Sequence, residues 1–400
     1  MAQDVPTASA PNVLRLPRLD KLGVIIALLA LAGLFLLPFV ISRPNRIVLG
    51  QPLPIGAALP LIHAALLYAI VGVGALVALI RGPSRWRLIS SLVVLGILAL
   101  LLGVSASHLT PEGNTIARVS PGAGFWVLVF AFALVAADAL VRLKLPPLAR
   151  IGILAAVAAA IALMLWTGVW SDLSILREYA NRGSAFWREA QVHVSLAFGS
   201  LLAATVVGVP LGILCYRRPA LRAAVLNSLN IVQTIPSIAL FGLLIAPLAW
   251  VAANIPGASA LGISGIGAAP ALVALFGYSL LPIVANTVIG LVGVPFAVKD
   301  AARGMGMTDG QVLFGAELPL AFPVILTGIR IVLVQNIGLA TIAALIGGGG
   351  FGVFVFQGIG QTAMDLVLLG AVPTVALAFA AAVVLDAAVE LVSTRKVPSA

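Results

Sequence analysis

The chain has 400 residues, 62% of them hydrophobic and 9% charged, with a formal net charge of +10. Soluble domains carry about 45–50% apolar and about 25% charged residues, so these proportions exclude an ordinary cytosolic enzyme, a disordered hub and a secreted disulfide scaffold. The single cysteine, Cys215, cannot close an internal disulfide and sits in an apolar run, which predicts a small core residue.

A membrane-spanning helix needs about 20 mostly apolar residues. Ten stretches qualify, roughly 22–41, 57–80, 86–104, 122–142 and 148–170, then 192–216, 223–248, 268–294, 319–346 and 366–392. They are continuous rather than alternating, which excludes a transmembrane β-barrel. The first is read as a retained helix, because it is long and no small-residue cleavage site follows it. The expected fold class is therefore an all-α integral membrane protein of about ten helices.

The basic residues test that count. With the N-terminus inside, sixteen of the 23 fall in inside segments, from Arg15, Arg18 and Lys21, through Arg81, Arg85 and Arg87, to Arg395 and Lys396. Six fall outside, Arg43, Arg46, Arg118, Arg177, Arg182 and Arg188, and Arg330 lies within a span. This is the positive-inside bias. It predicts both termini in the cytoplasm and makes the excess charge topogenic. No basic helix or aromatic-basic platform points to nucleic acid.

In the first five spans polar groups are few. Asp138 and Arg142 are four residues apart on one helix face, which predicts an ion pair near the inner end. His63, His108 and His193 form no cluster, and no metal-ligand spacing appears. Residues 171–191 break the apolar pattern with Asp172, Arg177, Glu178, Arg182, Arg188 and Glu189, and read as an amphipathic stretch at the outer interface with Trp187 as its anchor. The chain thus divides into an extension, 1–185, and a core, 186–400. Two five-span halves would be inverted in topology, but they share no visible sequence similarity.

The second half is interrupted by Gly, Pro, Asn, Gln and Thr. Broken backbone at membrane depth is tolerated only where protein or a water-filled cavity satisfies it, so a pathway is sought here. Gln233, Thr234, Ser237, Asn286, Gln335 and Asn336 are its candidate lining. Interhelical hydrogen bonding is the alternative for each. Arg330, eleven residues past Pro319, is a candidate for gating or coupling; the competing reading has it snorkel inward or pair with Glu317. The Gly347–Gly350 run reads as a hinge or tight turn, since a phosphate loop requires a Gly-Lys pair and the chain has none.

Between the eighth and ninth spans lies the inner segment 295–319. Pro295 opens a short helix to about Arg303, Gly304 and Gly306 end it, and Thr308 caps a second short helix to about Ala316. Two short helices at a right angle make a docking knob, with Ala301 and Ala302 leaving room for a partner.

Asp300–Ala301–Ala302, Gly306 and Leu318–Pro319 resemble the EAA loop of ABC importer permeases, whose pattern is Glu-Ala-Ala, three residues, Gly, nine residues, Ile, any residue, Leu-Pro. Asp300 replaces Glu and keeps the charge; Ala316 replaces Ile and loses apolar contact. The resemblance extends over roughly 188–393. Asn227–Ser237, Leu281–Thr287, Thr327–Arg330, Gln335–Thr341 and Ile346–Gly352 are similar to permeases for osmoprotectants such as glycine betaine and choline. The resemblance implies a five-helix type I importer core working by alternating access. Asp300, Ala301, Ala302, Gly306, Leu318 and Pro319 would then form its ATPase-coupling loop.

It also implies partners: ABC ATPase subunits, a second permease chain, identical or related, and an extracytoplasmic binding protein, all at a bacterial inner membrane. This chain carries no catalytic residues or cofactor of its own; ATP and magnesium belong to the ATPase. Recognition of quaternary ammonium uses aromatic cages, and the second half offers only scattered Phe276, Tyr278 and Phe296. That fits selection by the binding protein. The rival readings are an ion-driven secondary transporter, a membrane scaffold, and a permease for an amino acid or sulfonate.

Overall fold

In a computed structural model, the structure describes residues 19–45, 48–111 and 113–394. Arg15, Arg18, Arg46, Arg395 and Lys396 lie outside these residues, as do both chain ends. The chain divides into two compact units. One holds the residues up to Leu145 with Gly168–Leu173, the other Pro146–Thr167 and the residues from Ser174 onward.

The first unit begins with α1 (Lys21–Leu31), capped by Asp20, whose Oδ1 accepts from Gly23 N at 3.1 Å. A π turn, Ala32–Leu36, extends it. The predicted first span, 22–41, stops there. Leu37 precedes Pro38, and the proline ring disfavours the helical region for the residue before it; Leu37 is extended, at φ −110° and ψ 147°. The chain continues as β1 (Val40–Arg43) and β2 (Gln51–Leu53), then α2 (Ile55–Ala58), α3 (Leu61–Leu79), α4 (Ser84–Leu109), β3 (Arg118–Pro121) and α5 (Ala123–Leu143). β1 is central, pairing antiparallel with β2 (Val40 opposite Leu53) and with β3 (Val40 opposite Pro121). This small sheet is a local addition to the helical fold that the sequence predicts; strands of three and four residues are too short to show an alternating pattern in sequence.

The second unit begins with α6 (Pro147–Trp166), which packs against the last long helix, α16 (Met364–Thr394). The structure therefore groups this helix with the core, whereas the sequence division falls at residue 185. Between them run α7 (Ser174–Arg217), α8 (Pro219–Thr234), α9 (Ser237–Leu243), α10 (Ile245–Asn254), α11 (Ala268–Val292), α12 (Phe296–Gly304), α13 (Asp309–Val312), α14 (Leu318–Leu339) and α15 (Gly352–Gly360). α7 is 44 residues long and kinked at Arg182, where φ is −130° and ψ 21°. The amphipathic stretch 171–191 is thus mostly the N-terminal part of this helix and not a separate interfacial element. Its Glu178 and Glu189 are buried.

The predicted span 223–248 is divided at Ile235–Pro236 into α8 and the α9–α10 pair, and 319–346 ends at Leu339, followed by a 3-10 turn over Ile342–Ile346. Among the described residues, nine helices are long and apolar enough to cross a membrane, and Lys21–Leu36 is shorter. The core of the second unit is the junction of α7, α11 and α14, where Ala197, Ala204, Ile283, Val332 and Ile337 are buried together. In lipid there is no hydrophobic drive between helices, so close packing through small residues and polar cross-links holds such a junction.

Candidate functional site

The segment joining α11 to α14 is built largely as its sequence predicts at its start and differently at its end. Pro295 is the N-cap of α12, whose C-terminus is followed by Gly306 at φ 84°. A side chain is rarely accommodated in that left-handed conformation, which accounts for glycine here. Thr308 caps α13 in a reciprocal box: its hydroxyl accepts from Gln311 N while Gln311 Oε1 accepts from Thr308 N at 2.8 Å. α13 is no separate short helix. It runs through a π turn, Leu313–Glu317, directly into α14.

Asp300, Ala301 and Gly306 are exposed, and Ala302 is buried. Leu318 and Pro319 open α14. Ala297, Ala301, Ala302, Met305, Gly315 and Ala316 line a largely apolar recess of about 450 Å³. Phe296, Met305 and Phe314 are exposed large apolar side chains around it. Ala316, the position where the loop departs from the family pattern, faces this recess, and its small side chain leaves the space open.

The polar candidates fall into two groups. Gln233, Thr234 and Ser237 flank the α8–α9 break. Gln233 Nε2 donates to Tyr278 O at 2.8 Å, Tyr278 Oη donates to Ile235 O at 2.5 Å, and Thr234 Oγ1 donates to Ile231 O at 2.7 Å. The break is thereby pinned to α11, and its freed carbonyl is satisfied from a neighbouring helix.

Asn336 lies elsewhere, fully buried at the three-helix junction, where its Nδ2 donates to Ser200 Oγ on α7 and Ser279 Oγ on α11, each at 2.9 Å. That is an interhelical knot and not an open wall. Asn286 Nδ2 donates to Pro282 O of its own helix at 2.8 Å, next to the glycine at Gly328 of α14. Gln335 is half-buried on α14. Arg330 pairs with Asp386 of α16, which also binds Arg150 of α6 at 2.6 Å. The expected pairing with Glu317 does not form; Glu317 is engaged by other groups.

The family "Binding-protein-dependent transport system inner membrane component" matches residues 208–397, and "ABC transporter permease YehY, N-terminal domain" matches residues 20–176. The osmoprotectant import permease protein OsmW of Salmonella typhimurium is 45% identical over 178 residues, 44% of this chain and 76% of that protein. The glycine betaine/carnitine/choline transport system permease protein OpuCB of Bacillus subtilis is 36% identical over 198 residues, 50% of this chain and 83% of that protein.

The chain belongs to the permeases of binding-protein-dependent ABC importers. A solved inward-facing conformation of the MetNI methionine ABC transporter is similar at 24% identity over 52% of this chain and 96% of that one, with a TM-score of 0.43.

The fastening of the permease's loop to α7 escaped sequence reasoning. Lys299 Nζ donates to Tyr216 Oη at 2.9 Å and lies 3.5 Å from Glu317 Oε1, and Tyr216 Oη donates to the same carboxylate at 2.7 Å. Arg217 Nη2 adds a bond to Asp309 O at 3.2 Å. The end of α7 is thus fastened to both sides of the loop. The available signal was a lysine beside the Asp-Ala-Ala run and a carboxylate just before Leu-Pro; their partner, 83 residues earlier, had no local signature.

The glycine run of the permease is also held. Gly347, Gly349 and Gly350 have φ of 76°, 75° and 86°, a left-handed turn open to glycine. Gly350 N donates to Glu189 Oε2 at 2.8 Å and Phe351 N to His193 Nδ1 at 3.4 Å.

Proposed function

We propose that this permease imports small quaternary-amine osmoprotectants of the glycine betaine and choline class, driven by a separate ATPase and supplied by a binding protein on the opposite face. The substrate class rests on likeness to permeases named for those solutes. The single observation that carries the coupling role is the loop: an exposed Asp300–Ala301 edge beside an apolar recess, at the foot of α14.

ATP and magnesium belong to the partner, and both chain termini lie with the loop in the cytoplasm. A second permease chain, identical or related, completes the pathway. Closure of the ATPase pair displaces α12. Lys299, Tyr216 and Glu317 transmit that displacement to α7, and the unbroken α13–α14 path carries it to the junction at Asn336. Gln233, Thr234 and Ser237, at the pinned break, offer neutral polar walls that suit release of a zwitterion or small cation, because they hold no opposite charge to trap it. Arg330 and Asp386 neutralise one another, which favours a structural role for Arg330 and gives no support to an ion-driven transporter.

The test is uptake of labelled glycine betaine and choline into vesicles holding the permease, the ATPase and the binding protein, each omitted in turn. Wild type should require ATP and all partners, and Asp300→Lys with Ala301→Glu should insert normally and lose uptake. ATP-dependent uptake of an amino acid or sulfonate instead would replace the substrate class. Uptake driven by an ion gradient without ATP would overturn the coupling reading.

A further inference from the structure

A second site with the character of a ligand pocket lies within the first unit. The N-terminus of α1, the turn from α3 to α4, the first turn of α4 and the last turn of α5 enclose a recess of about 510 Å³, lined by Asp20, Lys21, Arg81, Gly82, Arg87 and Arg142 among others. Four of these are cations. Two carboxylates, Asp20 and nearby Asp138, answer them. Arg142 is committed to Asp138 at 2.8 Å and reaches Asp20 at 3.8 Å. Arg87 Nη1 binds Asp20 Oδ2 at 3.1 Å.

The remainder of Arg87 makes no hydrogen bond, although Nη2 is within ion-pair distance of Asp138. Arg87 is 2% exposed, and its Nε and Nη2 have no hydrogen-bond partner among the described residues, Nη2 standing 3.5 Å from Asp138 Oδ2 without a bond. Buried donors on a charged group are costly to leave unmade, and a guanidinium edge of this kind matches two oxygens of one tetrahedral anion. Lys21 and Arg81 stand exposed at the rim and make no ion pair among the described residues. The N-terminus of the eleven-residue α1 adds its positive dipole end.

Burial works against the Asp20 carboxylate. The hydrogen bonds from Arg87 and Gly23 N–H, with the charges of Arg87 and Arg142, nevertheless hold it below the usual carboxylate range. It therefore stays ionised at neutral pH and keeps Arg87 Nη1 engaged, while Nε and Nη2 make no hydrogen bond among the described residues.

We propose that this recess binds a phosphate-class anion, held by Lys21 and Arg81 at its rim and by Arg87, whose Nε and Nη2 hydrogen bonds are unmade. The recess has room for more than a bare phosphate, and it lies at the helix ends that the basic residues assign to the cytoplasmic membrane surface, where a lipid headgroup phosphate or a free phosphate can reach it.

The test uses the full-length chain in nanodiscs of phosphatidylcholine with and without phosphatidylglycerol, and titration with inorganic phosphate in phosphatidylcholine alone. Retained lipid is read by native mass spectrometry and binding by the shift in melting temperature. Lys21→Gln with Arg81→Gln removes two rim charges; Arg85→Gln with Lys144→Gln removes two exposed charges at the same end that do not line the recess. Retention of phosphatidylglycerol about tenfold over phosphatidylcholine, lost in the first variant and kept in the second, establishes the site with a lipid headgroup as source. A melting shift with inorganic phosphate, lost in the same variant alone and without lipid preference, establishes it with a free anion. Equal loss in both variants, or no preference for either anion in wild type, overturns the proposal.

Discussion

In the first unit the ion pairs gather at one end of the helices, where Arg87 and Arg142 share Asp20 and Asp138. In the second they are distributed along the helices: Lys299–Glu317 at the loop, Arg150–Asp386–Arg330 between α6, α14 and α16, and Arg188–Glu189 beside the glycine turn. The long helices of the first unit are uninterrupted by proline, whereas α7, α11, α14 and α16 of the second have interior prolines at Pro210, Pro282, Pro323 and Pro373. A set of helices clamped at one end is suited to hold a position. A set tied by separate polar contacts at several levels can change one contact while keeping the rest, as an alternating pathway requires.

The sharpest way to test that contrast is at Glu317. Glu317→Ala leaves the Lys299 ammonium without its carboxylate. Removing one partner of a buried pair costs about 3–5 kcal/mol, and the small residual exposure of this pair, 14% and 9%, sets the expected loss at the lower end. ATP-dependent uptake should fall at least about tenfold, and Glu317→Leu with Lys299→Met should recover most of the melting temperature without recovering uptake. Unchanged uptake in Glu317→Ala would remove the loop-to-α7 link from the mechanism.

A smaller effect is expected at Asp386. Asp386→Asn leaves Arg150 and Arg330 facing each other, and the melting temperature should drop by a few degrees; Arg150→Met should cost less, because the Arg330–Asp386 pair survives. If Arg150→Met is the more damaging change, the attachment of α6, not the pair on α14, is what the carboxylate serves.

Asn336→Leu exchanges two interhelical hydrogen bonds for packing, at a cost of about 1 kcal/mol. It should lower stability slightly while leaving ATPase stimulation by a loaded binding protein intact. A loss of transport with stability unchanged would instead mark Asn336 as part of the pathway.

The smallest effect is in the first unit and depends on pH. The carboxyl of Asp20 is lowered from 3.8 in the folded chain, so its contribution to stability is full above 3.8 and is lost as pH falls through the lower folded value. Denaturation midpoints of wild type and Asp20→Asn should differ at neutral pH and converge in strong acid. Because Asn keeps the cap on Gly23, a difference that persists there would mean that the Asp20 charge is not what sets the difference.

Much of the loop was legible because its information is local. Pro295, Gly306 and Thr308 each impose a backbone choice within a few residues, and the Asp-Ala-Ala to Leu-Pro spacing carries the family pattern. The end of the loop was misread because nothing in Leu313–Glu317 signals that a π turn will let α13 continue into α14. Arg330 was correctly singled out as a charge within a span and given the wrong partner. The sequence offered Glu317 on the same stretch of chain, whereas Asp386, 56 residues away, becomes a neighbour only when α16 packs on α14.

The sequence by itself determined the solvent, the long apolar helices and the capping loop, but not the breaks at Pro38 and Pro236, which its spans 22–41 and 223–248 run across. What it determined follows from composition or from steric rules acting over a few residues. Only the tertiary structure decided that β1 would join β2 and β3 in a sheet, that α6 would pack with the core, and that Tyr216, Lys299 and Glu317 would meet. It also decided that Arg87 would be buried with two of its donor nitrogens making no hydrogen bond. Those outcomes depend on which helix faces are brought together, and contacts across 80 to 240 residues leave no periodicity or spacing in the chain from which to read them.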